Sequence, residues 1–132
     1  MNLKQLSGNS LSFLGDGIFT LKVREYYLNQ GYQSPKRLQV MCNKYNSARG
    51  QLKVFNRLND NHFFKEDELE IFKRGRNDIH HIPKNGDLIS YEVASGLEAI
   101  AGYLYLTNKD RLDEFFIEVF KGGVNNEWYY LW

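Results

Sequence analysis

The sequence is poor in the residues that commit a chain to special architectures. It holds one cysteine, Cys42, and two prolines, Pro35 and Pro83, in 132 residues. A single cysteine excludes an internal disulfide framework and a cysteine-based zinc site. Cys42 reads instead as a small hydrophobe buried in a helix. Each proline marks a loop or a helix start. No apolar run approaches the about 20 residues that span a bilayer, and the polar start from Met1 to Ser10 lacks the apolar stretch of a secretory signal. A cytoplasmic protein with no membrane partner is expected. Internal repeats, low-complexity segments and linkers are also missing. One domain over residues 1–132 follows, long enough to bury a core without disulfides or a structural metal.

Net charge is nearly absent too, with 17 basic residues against 16 acidic ones. The whole chain therefore announces no nucleic-acid partner, but its charge is unevenly spread. No acid interrupts the stretch that carries Lys36, Arg37, Lys44, Arg49, Lys53 and Arg57. A second basic cluster, Lys73, Arg74 and Arg76, follows an acidic stretch of Asp60, Glu66, Asp67, Glu68 and Glu70. Such asymmetry is the footprint of a surface that meets phosphates. A solvated helix face is the competing reading.

What the chain does have is helical periodicity. Leu11, Leu14, Ile18 and Leu21 recur at three- and four-residue spacing and predict a first helix over Ser10–Asn29, stopped by Gly31 as a left-handed cap. Ser34-Pro35 opens a second helix that runs to Asn46. A third covers Ser47–Leu58, with Gly50 as its weak point. A fourth starts at Lys65 with acids on the positive end of its dipole and ends near Arg74-Gly75. Residues 77–88 read as a long loop carrying His80, His81 and Pro83. A fifth helix spans Ser90–Leu106 and a sixth Asp110–Lys121. The aromatic tail, Trp128 to Trp132, reads as a short strand or a packing arm. Two-residue alternation is missing elsewhere, so the class is all-α.

Two helices carry an oddity. Asp16 sits in the apolar run Leu11–Phe19, flanked by Gly15 and Gly17. Each glycine inside a helix costs about 1 kcal/mol relative to alanine, which suggests that something approaches the backbone there. Glu98 sits in an equally slim run, with Gly96, Ala99, Ala101 and Gly102 around it. A carboxylate on a central helix is expensive unless paired or bound to a cation. Bringing Asp16 and Glu98 together around Mg²⁺ would satisfy both, because Mg²⁺ takes oxygen ligands and keeps several waters. Capping of neighbouring elements or buried salt bridges would satisfy them as well. Histidine or cysteine nucleophilic catalysis has less support: His80 and His81 lie beside no nucleophile, and His62 reads as a surface residue. Arg74 and Arg76 can fork onto phosphates, and Asn77 can bond sugar or phosphate oxygens. Lys73, Lys84 and Asn85 add donors.

Taken in order, these motifs resemble a known family. Phe13-Leu14-Gly15-Asp16-Gly17 and Leu97-Glu98-Ala99-Ile100-Ala101-Gly102 look like the two acidic motifs of ribonuclease III catalytic domains. Ser47-Ala48-Arg49-Gly50-Gln51, Phe72-Lys73-Arg74-Gly75-Arg76-Asn77, Pro83-Lys84-Asn85 and Gly102-Tyr103-Leu104-Tyr105-Leu106 are similar to the short bacterial branch that lacks a separate double-stranded-RNA-binding domain. The match covers residues 10–120.

The resemblance implies an all-α, ribonuclease III endonuclease-domain-like helical bundle acting as a homodimer, with two sites flanking a basic valley. It implies double-stranded RNA as substrate, in this branch large-subunit (23S) precursor ribosomal RNA, with a ribosomal protein as a candidate partner. Mg²⁺ would activate the attacking water and leave 5′-phosphate and 3′-hydroxyl ends. Asp16 and Glu98 would be the catalytic and metal-holding residues. Lys44, Arg49, Lys73, Arg74, Arg76, Asn77, Lys84 and Asn85 would be RNA contacts. Ser12 and Ser95 stand where longer members carry further acids, as in the short branch, and are outer-shell candidates. Those missing acids also motivate an alternative: a non-catalytic double-stranded-RNA-binding protein of the same fold, acting in ribosome assembly.

Overall fold

The computed structural model describes residues 1–78 and 87–131, with side chains described as far as Gly122. Among these residues a short 3-10 turn, Leu3–Gln5, precedes six α-helices: α1 (Gly8–Asn29), α2 (Pro35–Asn46), α3 (Ala48–Asp60), α4 (Glu66–Asn77), α5 (Leu88–Thr107) and α6 (Lys109–Leu131). Among the described residues there is no strand, and no helix is long and apolar enough to cross a membrane.

The helix boundaries follow local hydrogen bonding. α1 begins two residues earlier than its apolar period suggests, because the Ser7 hydroxyl accepts from the Ser10 N–H at 3.0 Å. It ends as expected: Gly31 adopts φ 97°, and the Tyr32 N–H returns to the Tyr27 carbonyl at 3.2 Å. Ser47 closes α2 and opens α3, its hydroxyl accepting from the Gly50 N–H at 3.1 Å. α5 starts at Leu88, where Asp87 caps the Ile89 N–H at 3.1 Å.

Two expectations are corrected. α4 does not stop at Arg74-Gly75 but runs on to Asn77. Gly75 serves packing, not termination: a Cβ there would lie 2.6 Å from the Ala99 Cβ and 2.9 Å from the Ser95 carbonyl oxygen. The tail is not a strand. Its backbone continues α6 to Leu131, where helical bonds satisfy it locally without a partner strand.

α5 is the central helix and touches α1, α3, α4 and α6. Leu97, Ala99, Ile100 and Ala101 are fully buried, as expected of a helix apolar on every side. Aromatic rings fill the space around it. Phe55 stacks on Phe72 at 4.1 Å, and Phe19 meets the edges of Phe115 and Phe116 at 6.0 and 5.1 Å.

α1 and α5 meet backbone to backbone. A Cβ on Gly15 would overlap the Glu98 carbonyl, and one on Gly102 would overlap the Leu11 carbonyl. Gly17 differs, because nothing lies within 4 Å of the place its Cβ would take. Gly15→Ala is expected to force the two helices apart and cost about 3 kcal/mol. Gly17→Ala is expected to stabilise the chain by about 0.5–1 kcal/mol through helix propensity alone. Urea unfolding of both variants checks the contrast, and equal effects would refute it.

Candidate active site

The contact between α1 and α5 places the chemistry. Because Gly15 rests on the Glu98 backbone, Asp16 is held beside the Glu98 side chain. The two carboxyl groups share a hydrogen bond. Asp16 is exposed to solvent and Glu98 only partly so. Burial first, then the bond to Asp16 and its negative charge, push the Glu98 carboxyl up to about 9.

A third side chain joins them from α3. The Gln51 amide donates to Glu98 and favours its charged form. Gln51 is 2% exposed, and its Oε1 has no hydrogen-bond partner. Its position has a visible signal in the sequence. Gln51, Val54, Phe55 and Leu58 are the buried residues of α3, at three- and four-residue spacing. A glutamine therefore heads an otherwise apolar stripe. Motif resemblance alone includes Gln51 as the last residue of Ser47–Gln51 and assigns it no role.

Ser12 and Ser95 are also brought together, one turn back along α1 and α5. The Ser12 hydroxyl donates to the Ser95 carbonyl at 2.6 Å and lies 3.1 Å from the Ser95 hydroxyl. The Ser95 hydroxyl donates to the Gly75 carbonyl at 2.9 Å. This chain of bonds ties α1, α5 and α4 next to the carboxylates.

The basic residues fall on three helices. Arg49 is exposed on the first turn of α3, two residues before Gln51, and Lys44 is exposed near the end of α2. Lys73, Arg74, Arg76 and Asn77 occupy the last turns of α4. Arg74 donates to the Leu6 carbonyl. Lys73 pairs with Glu70 at 3.6 Å. Arg76 lies 5.7 Å over the Phe72 ring and donates to the Asn77 side chain at 3.4 Å. These bonds aim the cationic end of α4 while leaving Lys73, Arg74 and Asn77 exposed. Lys84 and Asn85, with His80 and His81, lie outside the described residues.

The donor set suits a small divalent cation. Two carboxylates that repel each other, one of them partly desolvated, gain most from a shared positive charge. The unpartnered Gln51 oxygen offers an unused acceptor, and the open backbone at Gly17 leaves room for waters. No group of three acidic, histidine or cysteine side chains converges among the described residues, so their charged contribution here is these two acids.

The same pair sets a pH dependence for the metal-free protein. An unfolded glutamate titrates near 4.5 and the folded Glu98 near 9. Between those values the folded chain holds a proton that the unfolded chain has released, so stability falls as pH rises. The melting temperature in EDTA is expected to decline from pH ~5.5 to ~8.5, and Glu98→Gln to flatten the decline. A wild-type melting temperature that rises over this window would contradict the shared-proton geometry.

Comparison with known proteins places this geometry. The model of the ribonuclease III domain matches residues 9–109. A Mini-ribonuclease 3 of Enterococcus faecalis is 38% identical over 113 residues, covering 84% of this chain and 86% of the relative. One from Brevibacillus brevis is 39% identical over 101 residues, covering 76% and 74%. A crystal structure of a protein from Fusobacterium nucleatum superposes with a TM-score of 0.79 at 32% identity, over 92% of this chain and 97% of that one. The residues that pack α1 on α5 and pair Asp16 with Glu98 lie inside the matched span, and the chain belongs to the ribonuclease III family of endoribonucleases, in its Mini-ribonuclease 3 branch.

Proposed function

We propose that the protein is a Mg²⁺-dependent endoribonuclease that cuts double-stranded RNA and matures large-subunit precursor ribosomal RNA in the cytoplasm. The observation that carries this reading is the Asp16–Glu98 pair, a strongly perturbed carboxyl on a surface that opens to solvent at Gly17. Asp16 and Glu98 would hold the cation. Such an ion supplies charge stabilisation on a phosphate oxygen and a water that ionises near neutral pH.

The chain's own groups do the rest. Glu98 would release its shared proton to solvent on holding the cation, and Gln51 favours the ionised form by donating to it. Arg49, exposed on the first turn of α3, and the exposed end of α4 would supply cations for the phosphates of a duplex. A-form RNA presents phosphates and 2′-hydroxyls across a wide minor groove, so a rigid basic surface reads it by shape.

Self-association fits the same face. Phe13 is 84% exposed, and Leu21 and Leu28 are each 55% exposed. Phe13, Gly17 and Leu21 follow one another at four-residue spacing, so they form a stripe beside Asp16. A second copy of the chain covering this stripe would bring two sites onto one duplex. Light scattering at micromolar concentration reads this directly, and a pure monomer overturns it.

The activity itself is tested with duplex RNA in Mg²⁺ and in EDTA. Shorter products with 5′-phosphate ends are expected in Mg²⁺ only, with a single-stranded control left intact. Cutting that persists in EDTA refutes the metal. Salt-sensitive binding without cutting in either buffer favours the non-catalytic alternative.

A further inference from the structure

Folding alone does not favour glutamine at position 51. The side chain is 2% exposed at the head of an apolar stripe, and its Oε1 has no partner. A buried acceptor left unbonded costs about 1–3 kcal/mol. Leucine or methionine would fill a similar volume without that cost. The site gives the amide a reason. It is the one neutral side chain of this length that both donates and accepts hydrogen bonds. A glutamate would add a third negative charge beside Asp16 and Glu98, and a lysine would compete with a cation.

We infer that Gln51 is a positioning residue of the cation site: its N–H holds the Glu98 carboxylate, and its carbonyl oxygen accepts a hydrogen bond from the water shell of a divalent ion held by Asp16 and Glu98. The inference rests on the proposed reading of those two acids as metal ligands. It explains why a Gln51 oxygen is left unpartnered within reach of Glu98. It also explains how a site with two carboxylates orients a hydrated ion, since groups bonded to ligands and their waters fix geometry.

The test is calorimetric titration of Mg²⁺ into the RNA-free protein, alongside the Mg²⁺ dependence of duplex cleavage. Asp16→Asn is expected to remove the Mg²⁺ binding seen with wild type. If it does not, the reading of the acids fails and this inference with it. Gln51→Leu is expected to weaken Mg²⁺ about 10- to 100-fold. It should raise the Mg²⁺ needed for half-maximal cleavage by a similar factor, with KM for RNA unchanged and kcat largely restored at high Mg²⁺. Gln51→Glu keeps an acceptor oxygen but loses the N–H that holds Glu98, and is expected to lose less Mg²⁺ affinity than Gln51→Leu. Gln51→Met serves where the leucine variant does not fold, with circular dichroism as the check. Wild-type Mg²⁺ affinity in a folded Gln51→Leu or Gln51→Met protein refutes the inference, whatever its melting temperature. Equal loss in Gln51→Glu and Gln51→Leu refutes it as well.

Discussion

Asp16→Asn is expected to leave the protein folded and to reduce cleavage of duplex RNA by about a thousandfold or more. The substitution keeps the shape of the side chain and removes only its charge. Asp16 is exposed on α1, so its folding contribution is small, within about 0.5 kcal/mol. Its charge matters to the site because it is one of two acids there. A divalent cation contributes several kcal/mol of transition-state stabilisation, and each 1.36 kcal/mol is tenfold in rate. Losing half the negative charge that holds the ion therefore costs about three decades. The variant also relieves Glu98 of a repelling neighbour, so its pH-dependent loss of stability should shrink. Single-turnover cleavage of a long duplex, with binding measured in parallel, checks both halves. Undiminished cutting would remove Asp16 from the chemistry.

The largest expected effect on stability lies at Arg111, on the first turn of α6. Arg111 and Glu68 form a buried ion pair, 8% and 1% exposed. The Arg111 guanidinium donates to both Glu68 oxygens, at 2.8 and 3.0 Å, and to the Phe63 carbonyl at 2.7 Å. It also lies 4.0 Å over the Phe63 ring and bonds Glu114 at 2.9 Å. Glu68 in turn accepts from the Lys65 N–H at 2.9 Å and so secures the start of α4. Arg111→Ala would leave the Glu68 carboxylate buried with little but that one N–H. Removing one member of such a pair costs about 3–5 kcal/mol, which for a domain of this size lowers the melting temperature by about 10–20 °C. Replacing both residues with leucine should recover much of the loss, because the uncompensated charge is gone. A drop of only a few degrees in Arg111→Ala would show that water reaches Glu68.

Particular residues show why some features are legible in the sequence and others are not. The helix pattern is readable because three- and four-residue spacing is a local property. Gly31 is readable because a left-handed cap needs no information beyond its own turn. The pairing of Asp16 with Glu98 is partly readable. Small residues on both helices signal close approach, but capping or separate salt bridges satisfy the same sequence. The glycines on either side of Asp16 look equivalent, yet only Gly15 is pressed against another helix. Gly75 looks like a stop signal beside a cationic turn. Its real constraint is Ala99 and Ser95 on α5, beyond the reach of any pattern within α4.

Arg111 and Glu68 are hidden for a related reason, and so is the role of Gln51, though its place at the head of an apolar stripe shows. Each is a polar residue near the start of a helix that buries an apolar stripe, and in a sequence such a residue looks like the edge of a solvated face. Glu68 in particular looks like one more acid at a helix start.

The helices, the all-α class and the two acids that draw notice are all properties of the chain read linearly, because periodicity, capping and the cost of glycine act over a few residues. What those acids face is set by packing. Docking α1 on α5 through Gly15 and Gly102 puts Asp16 against Glu98, and packing α3 on α5 delivers Gln51 to them. Those contacts join residues 47 to 91 positions apart in the chain, where no local pattern reaches and only the fit of one helix surface on another sets the geometry.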